Sequence, residues 1–239
     1  MPRAVLAVVL LAASLWAAAP AHASEAAVRQ AFLARFPGAN MESVTRMPMG
    51  GLYEIVFDGQ IVYTDEKVSY IMSGNLFDLR GSTERNLTRE RMGQIAAQAL
   101  SKSHDAAIKR VKGSGKRVIY TFEDPNCGYC KELQKEFTKM SDVTIYTFLL
   151  PILSADSAEK SKAIWCARDR AKAWEEAMLR NSVPAGSRKD CETPFDRNMQ
   201  LAQRFGIRGT PAVYLANGQQ IGGYIPADKL EQALNTATK

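Results

Sequence analysis

Apolar positions in residues 25–36 recur four apart, with Val28, Phe32 and Phe36 on one stripe ahead of Pro37-Gly38. That period predicts a short amphipathic helix stopped by the proline–glycine pair. The pattern then shortens. Residues 43–46, 52–57, 60–63, 68–72 and 76–79 are runs rich in Val, Ile, Tyr and Phe. Met49-Gly50-Gly51, Asp58-Gly59, residues 64–67 and Ser73-Gly74-Asn75 separate them. Asp58-Gly59 between two apolar runs predicts a two-residue hairpin of the type I′ kind. Residues 24–83 thus read as one helix against a small antiparallel sheet. So small a module buries little surface, and its sheet edges offer a place for a partner. Dimerisation through this region is the expectation.

Residues 84–112 read as a connector. Thr88 is placed to cap a helix, with Glu90 in its first turn and Leu87/Met92 as a hydrophobic staple. Met92, Ile95, Ala96 and Ala99 form a thin apolar stripe, and the chain turns polar from Ser101 to Asp105. This suits a solvent-bridging linker helix, ended by Gly113-Ser114-Gly115.

Residues 113–239 open on an alternating β-branched strand over 117–122. Glu123-Asp124-Pro125-Asn126 leads into Cys127, and Leu133 and Phe137 stripe a helix over 130–140. A strongly apolar strand over 143–149 completes a β–α–β unit with a parallel crossover. Residues 155–205 read as a helical insertion. Residues 211–215 and 220–224 flank Asn217-Gly218 as a second hairpin, and Leu230, Ala233 and Leu234 stripe a last helix. A βαβ unit, a helical insertion and a ββα end predict a thioredoxin-like α/β domain after the α+β module.

Composition is that of an ordinary globular chain, with 46% hydrophobic residues. The 31 basic residues exceed the 25 acidic ones, for a net charge of +6, but no run of five or more Lys/Arg occurs. A nucleic-acid surface is therefore not expected. The N-terminus says more. Arg3 precedes an apolar stretch over residues 4–19, then Pro20 and Ala21-His22-Ala23. That order predicts a secretory signal at 1–23, cleaved after Ala23. The stretch falls short of the ~20 residues a membrane span needs.

Export sets what the four cysteines mean, because disulfides persist in an oxidising compartment. Four cysteines allow three connectivities. His22 and His104 are the only histidines. His22 departs with the signal, and His104 reads as a solvent-facing helix residue. Zinc would need further Cys or His ligands beside Cys127 and Cys130, so neither a metal nor another cofactor is expected. A purely structural bridge across so short a span would remove little chain entropy, which leaves redox chemistry for Cys127-Gly128-Tyr129-Cys130.

Cys127 should sit at a helix N-terminus, where free N–H groups and the macrodipole favour a thiolate. Cys130, one turn inward, should be the resolving thiol. Gly128 and Tyr129 lie among the N–H groups that solvate the thiolate and so set the redox balance. Pro211 opens a strand after Gly209-Thr210, where a residue without an N–H costs the ladder nothing. Cys166 and Cys191 read as a structural disulfide, worth about 3 kcal/mol on the chain-entropy model.

Three stretches together resemble the DsbC/DsbG family of bacterial periplasmic disulfide isomerases. They are Phe122 through Cys130 (FEDPNCGYC), Gly206-Ile207-Arg208-Gly209-Thr210-Pro211 and Gly51-Leu52-Tyr53-Glu54. The resemblance covers essentially the whole mature chain. It implies a cis Thr210-Pro211 bond facing the redox helix, with the Thr210 backbone left to pair with an extended substrate. It also implies a V-shaped periplasmic homodimer joined by its N-terminal modules, with an apolar cleft for misfolded disulfide-containing exported proteins. A membrane thiol reductase of the DsbD type would keep the pair reduced, and chaperone-like binding would accompany isomerisation. Lys131 stands where many DsbC proteins carry histidine. The Asp-Pro before the motif is like DsbG, whose own dipeptide is Pro-Tyr. The competing readings are a DsbG-like holdase or reductase and a net thiol oxidase. A DsbA-like oxidase typically lacks the N-terminal module and often has Pro-His between its cysteines. Met41, Met47, Met49 and Met72 could line a holdase surface but read mostly as core filling.

Overall fold

A computed structural model describes residues 23–185 and 191–237. The secretory segment and its cleavage fall almost wholly outside them.

Helix α1 (Glu25–Arg35) starts on Ser24, whose Oγ accepts from Ala27 N at 3.1 Å. Its stripe buries Val28 and Phe32, while Phe36 closes the helix and is left exposed. Strands β1 (Met41–Arg46), β2 (Leu52–Phe57), β3 (Gln60–Asp65) and β4 (Ile71–Ser73) form one antiparallel sheet in that order. Asp58 and Gly59 both take positive φ, 47° and 73°, so the β2–β3 turn is of the I′ kind.

The fourth strand is shorter than the 68–72 run suggests. Val68 takes φ 54°, and Asp65 Oδ1 accepts from Ser69 N at 2.6 Å and Tyr70 N at 3.0 Å. That side-chain cap turns residues 65–70 into a loop. Likewise 76–79 shrinks to β5 (Phe77–Asp78), paired with β6 (Arg85–Asn86). Met41 and Met47 pack against the module's core, but Met49 and Met72 are exposed, so the four methionines are not mostly core filling.

Helix α2 (Leu87–Ser101) departs from expectation in two ways. Asn86, not Thr88, is its cap, with Oδ1 accepting from Arg89 N at 2.8 Å. The Thr88 hydroxyl is already engaged, 2.6 Å from Tyr63 Oη and accepting from Leu76 N at 2.8 Å. Nor does α2 bridge solvent. Met92 and Ile95 pack on Val56, Ile61 and Tyr63, covering the sheet face opposite α1. Ala96 and Leu100 enter the core of the second domain. The turn at Asn217-Gly218 rests directly on this helix. A Cβ on Gly218 would lie 1.9 Å from Gly93 O, so only glycine fits there.

The helix ends at Ser101, and β7 (Ile108–Lys112) follows where a connector was expected. Ile108 and Arg110 point inward and Lys109 outward, a period-two signal too short to stand out beside a polar stretch. His104 lies in a one-turn 3-10 helix (His104–Ala106), not a solvent-facing one. Its ring stacks on Tyr146 at 3.9 Å between centroids and contacts Tyr120 Oη at 3.0 Å.

The second sheet has the order β11-β10-β8-β9-β7. Strands β8 (Arg117–Glu123) and β9 (Val143–Leu149) are parallel and joined through α3 (Gly128–Thr138). Strand β10 (Ala212–Leu215) runs antiparallel to β8 and pairs with β11 (Gln220–Gly222). One face packs Leu133 and Phe137 of α3 with Leu230 and Leu234 of α7 (Ala227–Ala237) over Ile119, Ile145 and Val213. The other carries Phe122, Phe148 and Tyr214 under α2 and α6 (Phe195–Arg204). Helices α4 (Ala155–Trp165) and α5 (Arg170–Arg180) form the insertion with α6. The architecture is therefore an α+β module, a bridging helix and a thioredoxin-like domain with a helical insertion.

Candidate active site

Strand β8 ends at Glu123, and the chain must turn before α3 begins. Asp124, fully buried, fixes that turn: its carboxylate accepts from Asn126 N at 2.8 Å, Ile152 N at 2.9 Å, Leu153 N at 3.1 Å and Ser157 Oγ at 2.8 Å. Asn126 in turn donates to Ser154 Oγ at 3.1 Å and Asp156 Oδ2 at 2.8 Å. The loop carrying the first cysteine is thus pinned to the β9–α4 loop from both sides.

Cys127 is the N-cap of α3. Its Sγ accepts from Cys130 N at 3.3 Å and occupies the place an Asp or Ser oxygen takes in an ordinary cap. A sulfur in that position gains most when it is an anion. The Cys127 thiol accordingly ionises at about 6 instead of 9.0. Hydrogen bonding from the Cys130 thiol is the largest cause. Burial opposes it, while Thr210 and the backbone N–H groups of Cys130 and Tyr129 add to it. Among the described residues the buried Thr210 hydroxyl has no hydrogen-bond partner.

Cys130 is fully buried, and burial pushes its thiol far up; hydrogen bonding to Cys127 and the charge of Glu123 push the same way. The two thiols are free in the structure. One thiol is poised to ionise, and the other holds its proton.

The Thr210-Pro211 bond is cis. The Cys127 thiol donates to Thr210 O at 3.2 Å, which brings the proline loop to the redox helix. When that thiol ionises, the carbonyl loses its donor and is open to an incoming N–H. The structure therefore gathers Cys127, Gly128, Tyr129, Cys130, Thr210 and Pro211 at one place. Cys166 and Cys191 are bonded to each other, 25 residues apart in sequence. They lie on the apolar cluster of Trp165 and Trp174 that also backs the redox pair.

Sequence reasoning passes over the floor of the site. Glu123 is fully buried on β8, accepting from Thr121 Oγ1 at 2.6 Å and from Gln134 Nε2 at 2.8 Å to each oxygen. Gln134 Oε1 accepts from the buried Arg110 at 2.6 Å, and Arg110 also reaches Thr147 Oγ1 at 3.2 Å. Burial raises the Glu123 carboxyl above its usual range, with Arg110 opposing. The available signal was an acid in phase with Ile119 and Thr121 on the strand, facing the redox helix. Among the described residues, no cluster of three or more Cys, His, Asp or Glu is arranged to hold a metal.

The lowered thiol sets a pH dependence. Between about 6 and 9.0 the unfolded chain holds a proton that the folded thiol has lost. Stability of the reduced protein therefore rises with pH, and the gain is lost as pH falls through about 6. The oxidised form lacks this titration. Calorimetry should show the Tm of the reduced form climbing relative to the oxidised form from about pH 5 to about pH 8. A constant difference would contradict the lowered thiol.

In a thioredoxin-like frame, a thiolate capping the first helix with a protonated thiol one turn inward exchanges electrons with other disulfides. The class is that of thiol–disulfide oxidoreductases. Comparison with known proteins agrees. Residues 104–238 match the thioredoxin-like domain family, and residues 19–89 match the disulfide bond isomerase protein N-terminal domain. The probable thiol:disulfide interchange protein DsbC of Bordetella pertussis is 42% identical over 209 residues, 87% of this chain and 73% of that protein. The thiol:disulfide interchange protein DsbC of Escherichia coli K12 is 28% identical over 223 residues, 92% of this chain and 91% of that protein. A crystal structure of a disulfide interchange protein from Neisseria gonorrhoeae is 42% identical with a TM-score of 0.53, covering 56% of this chain and 96% of that one. This chain belongs to the DsbC family of thiol:disulfide interchange proteins.

Proposed function

We propose that the chain isomerises wrong disulfides in exported proteins, with Cys127 as nucleophile and Cys130 as resolving thiol. The observation that carries this is the placement of two thiols one helical turn apart, Cys127 Sγ capping α3 at 3.3 Å from Cys130 N and Cys130 fully buried behind it, which lowers the first thiol and raises the second. Attack of the Cys127 thiolate on a substrate disulfide forms a Cys127–substrate bond and expels one substrate thiolate. From there two exits exist. Another thiol of the same substrate can displace Cys127, which leaves as a stable thiolate, and the substrate disulfide is rearranged with no net electron transfer. Alternatively Cys130 attacks the Cys127 sulfur, closing the Cys127–Cys130 disulfide and releasing the substrate reduced by two electrons. A low-pKa sulfur leaves readily, which serves the first exit.

The second exit requires Cys130 to lose its proton in a buried place. Glu123 is the base within electrostatic reach, since its charge is felt at Cys130. Its raised carboxyl suits it to hold a proton for the duration of the step. The Tyr129 N–H, which follows Gly128 in the motif, supports the thiolate, and the Thr210-Pro211 loop aligns the substrate chain. Cys166–Cys191 braces the insertion behind the pair.

The chain is further proposed to be exported, with residues 1–23 removed, and to work in the periplasm as a homodimer. Among the described residues no helix is long and apolar enough to cross a membrane. Dimerisation is supported by β4, an edge strand whose Ile71 and Met72 are exposed beside Tyr70, with Phe77 and Leu79 exposed nearby. The domain division follows the same lines: 24–83 for the dimerising module, 84–112 for the connector, whose final strand β7 pairs with β9 in the sheet of the domain that follows, and 113–239 for catalysis. A membrane thiol reductase of the DsbD type would return the oxidised pair to the dithiol. Apolar surface around the pair would give chaperone-like binding.

Acid trapping of the protein in cells, followed by alkylation and mass analysis, tests the direction of electron flow. A mainly reduced Cys127–Cys130 pair is expected in a protein that sediments as a dimer at micromolar concentration. A mainly oxidised pair would turn the reading into a net oxidase, and a monomer would remove the cleft.

A further inference from the structure

Tyr129 lies inside the redox motif, yet its ring is 69% exposed. Its backbone N–H supports the Cys127 thiolate, so the side chain is free of that task. The ring has Tyr224 as an aromatic neighbour, at 6.4 Å between centroids and a 42° tilt. Tyr224 is itself 40% exposed and comes from the far end of the fold, just after β11.

Three contacts hold it there. Gly223 passes so close to the proline loop that a Cβ on it would lie 3.1 Å from Pro211 O. Gly222 pairs with Val213 in the sheet. The Tyr224 hydroxyl makes a long 3.5 Å contact to Glu136, whose carboxylate is fixed by Ala227 N at 2.9 Å and Lys139 Nζ at 2.8 Å. Two tyrosine rings at this spacing and tilt form an open aromatic corner. Ile152 and Leu153, 37% and 53% exposed, are tied by their N–H groups to Asp124 in the turn before Cys127.

We propose that Tyr224 is a specificity-determining residue: with Tyr129 it receives an aromatic or large aliphatic side chain of the substrate polypeptide lying within two residues of the attacked cysteine. This deepens the isomerase reading and rests on it. The occupant follows from position. A substrate strand paired beside the Thr210 carbonyl with its cysteine at Cys127 Sγ passes the residue two positions from Cys127, Tyr129, and the Tyr224 segment that lies against the proline loop. In an extended chain the second residue from the cysteine points to the same face as the cysteine. Misfolded chains expose the apolar residues a native fold would bury, and such side chains gain by covering exposed rings. The corner thus favours disulfides in unfolded apolar sequence over those in polar loops.

The test compares two model peptide disulfides, one with phenylalanine and one with glycine at the second position from cysteine, together with glutathione disulfide. For Tyr224→Ala, kcat/KM for the phenylalanine peptide should fall about tenfold, mostly through KM, a loss of about 1.4 kcal/mol. The glycine peptide and glutathione disulfide should change less than about twofold, and the pH midpoint of Cys127 alkylation should stay in place. Tyr224→Phe should retain most of the preference, since the ring and not the hydroxyl makes the corner. An equal loss on all three disulfides would assign Tyr224 a structural role and overturn the inference. So would a native protein that reacts equally with both peptides. A native protein that reacts with none of the three would instead overturn the isomerase reading.

Discussion

The Cys130→Ala protein should accumulate as a covalent adduct with its substrates, joined through Cys127. Attack needs only the Cys127 thiolate, which keeps its place at the helix cap because the residue-130 N–H is retained. Escape toward reduced substrate needs Cys130. A held intramolecular thiol in near-attack geometry has a very high effective concentration. Its removal should slow reductive release by about 10³-fold or more. Loss of the Cys130 hydrogen bond, the largest cause of the lowered Cys127 thiol, should also move the alkylation midpoint above about 6. Non-reducing electrophoresis and a pH series of iodoacetamide labelling read both effects. A variant that releases reduced product at the native rate would mean that Cys130 is not the resolving thiol.

Glu123 should give the next largest effect, on two different measurements. Glu123→Leu takes the buried acceptor away from Gln134 Nε2 and Thr121 Oγ1, and removes the charge that acts through Gln134 on the buried Arg110, whose ion-pair partner Glu175 lies 3.9 Å away. Leaving a buried donor without its acceptor costs about 1–3 kcal/mol. A chemical-denaturation midpoint within experimental error of the native value would contradict the network. Glu123→Gln keeps the shape but cannot take a proton. Removing its charge should bring the Cys130 thiol down from its raised value, since that charge is one of the causes. The release step catalysed by Cys130 should nonetheless slow by about 10²-fold, the usual worth of a positioned base. Isomerisation through Cys127 alone should change little. A uniform loss on both exits would mark Glu123 as structural only.

Much of this molecule was legible in the order of residues. Asp58-Gly59 gave the hairpin because two positive-φ residues fit one turn type. The apolar run at 143–149 and the strand before the cysteines gave the parallel crossover. Position alone placed Cys127 at a helix start. What was not legible depended on long-range contacts. Helix α2 looked solvent-bridging because its stripe is thin, yet that stripe is shared between two cores that meet only in the fold. Thr88 lost the cap to Asn86 through a hydroxyl spent on Tyr63. The surroundings of His104 are hidden in the sequence because the tyrosines it stacks on lie 16 and 42 positions away. Glu123 looked like part of a polar lead-in, and only the placement of Gln134 and Arg110 beneath it shows a buried carboxylate.

The Cys127 thiolate is the group proposed to rearrange disulfides. Its most direct test is the refolding of a scrambled multi-disulfide protein in a glutathione buffer with the native chain and with Cys127→Ala. Native disulfides should return rapidly with the native chain and only at the uncatalysed rate with the variant. Equal yields and rates from the two proteins would leave apolar binding as the activity and contradict the thiol mechanism.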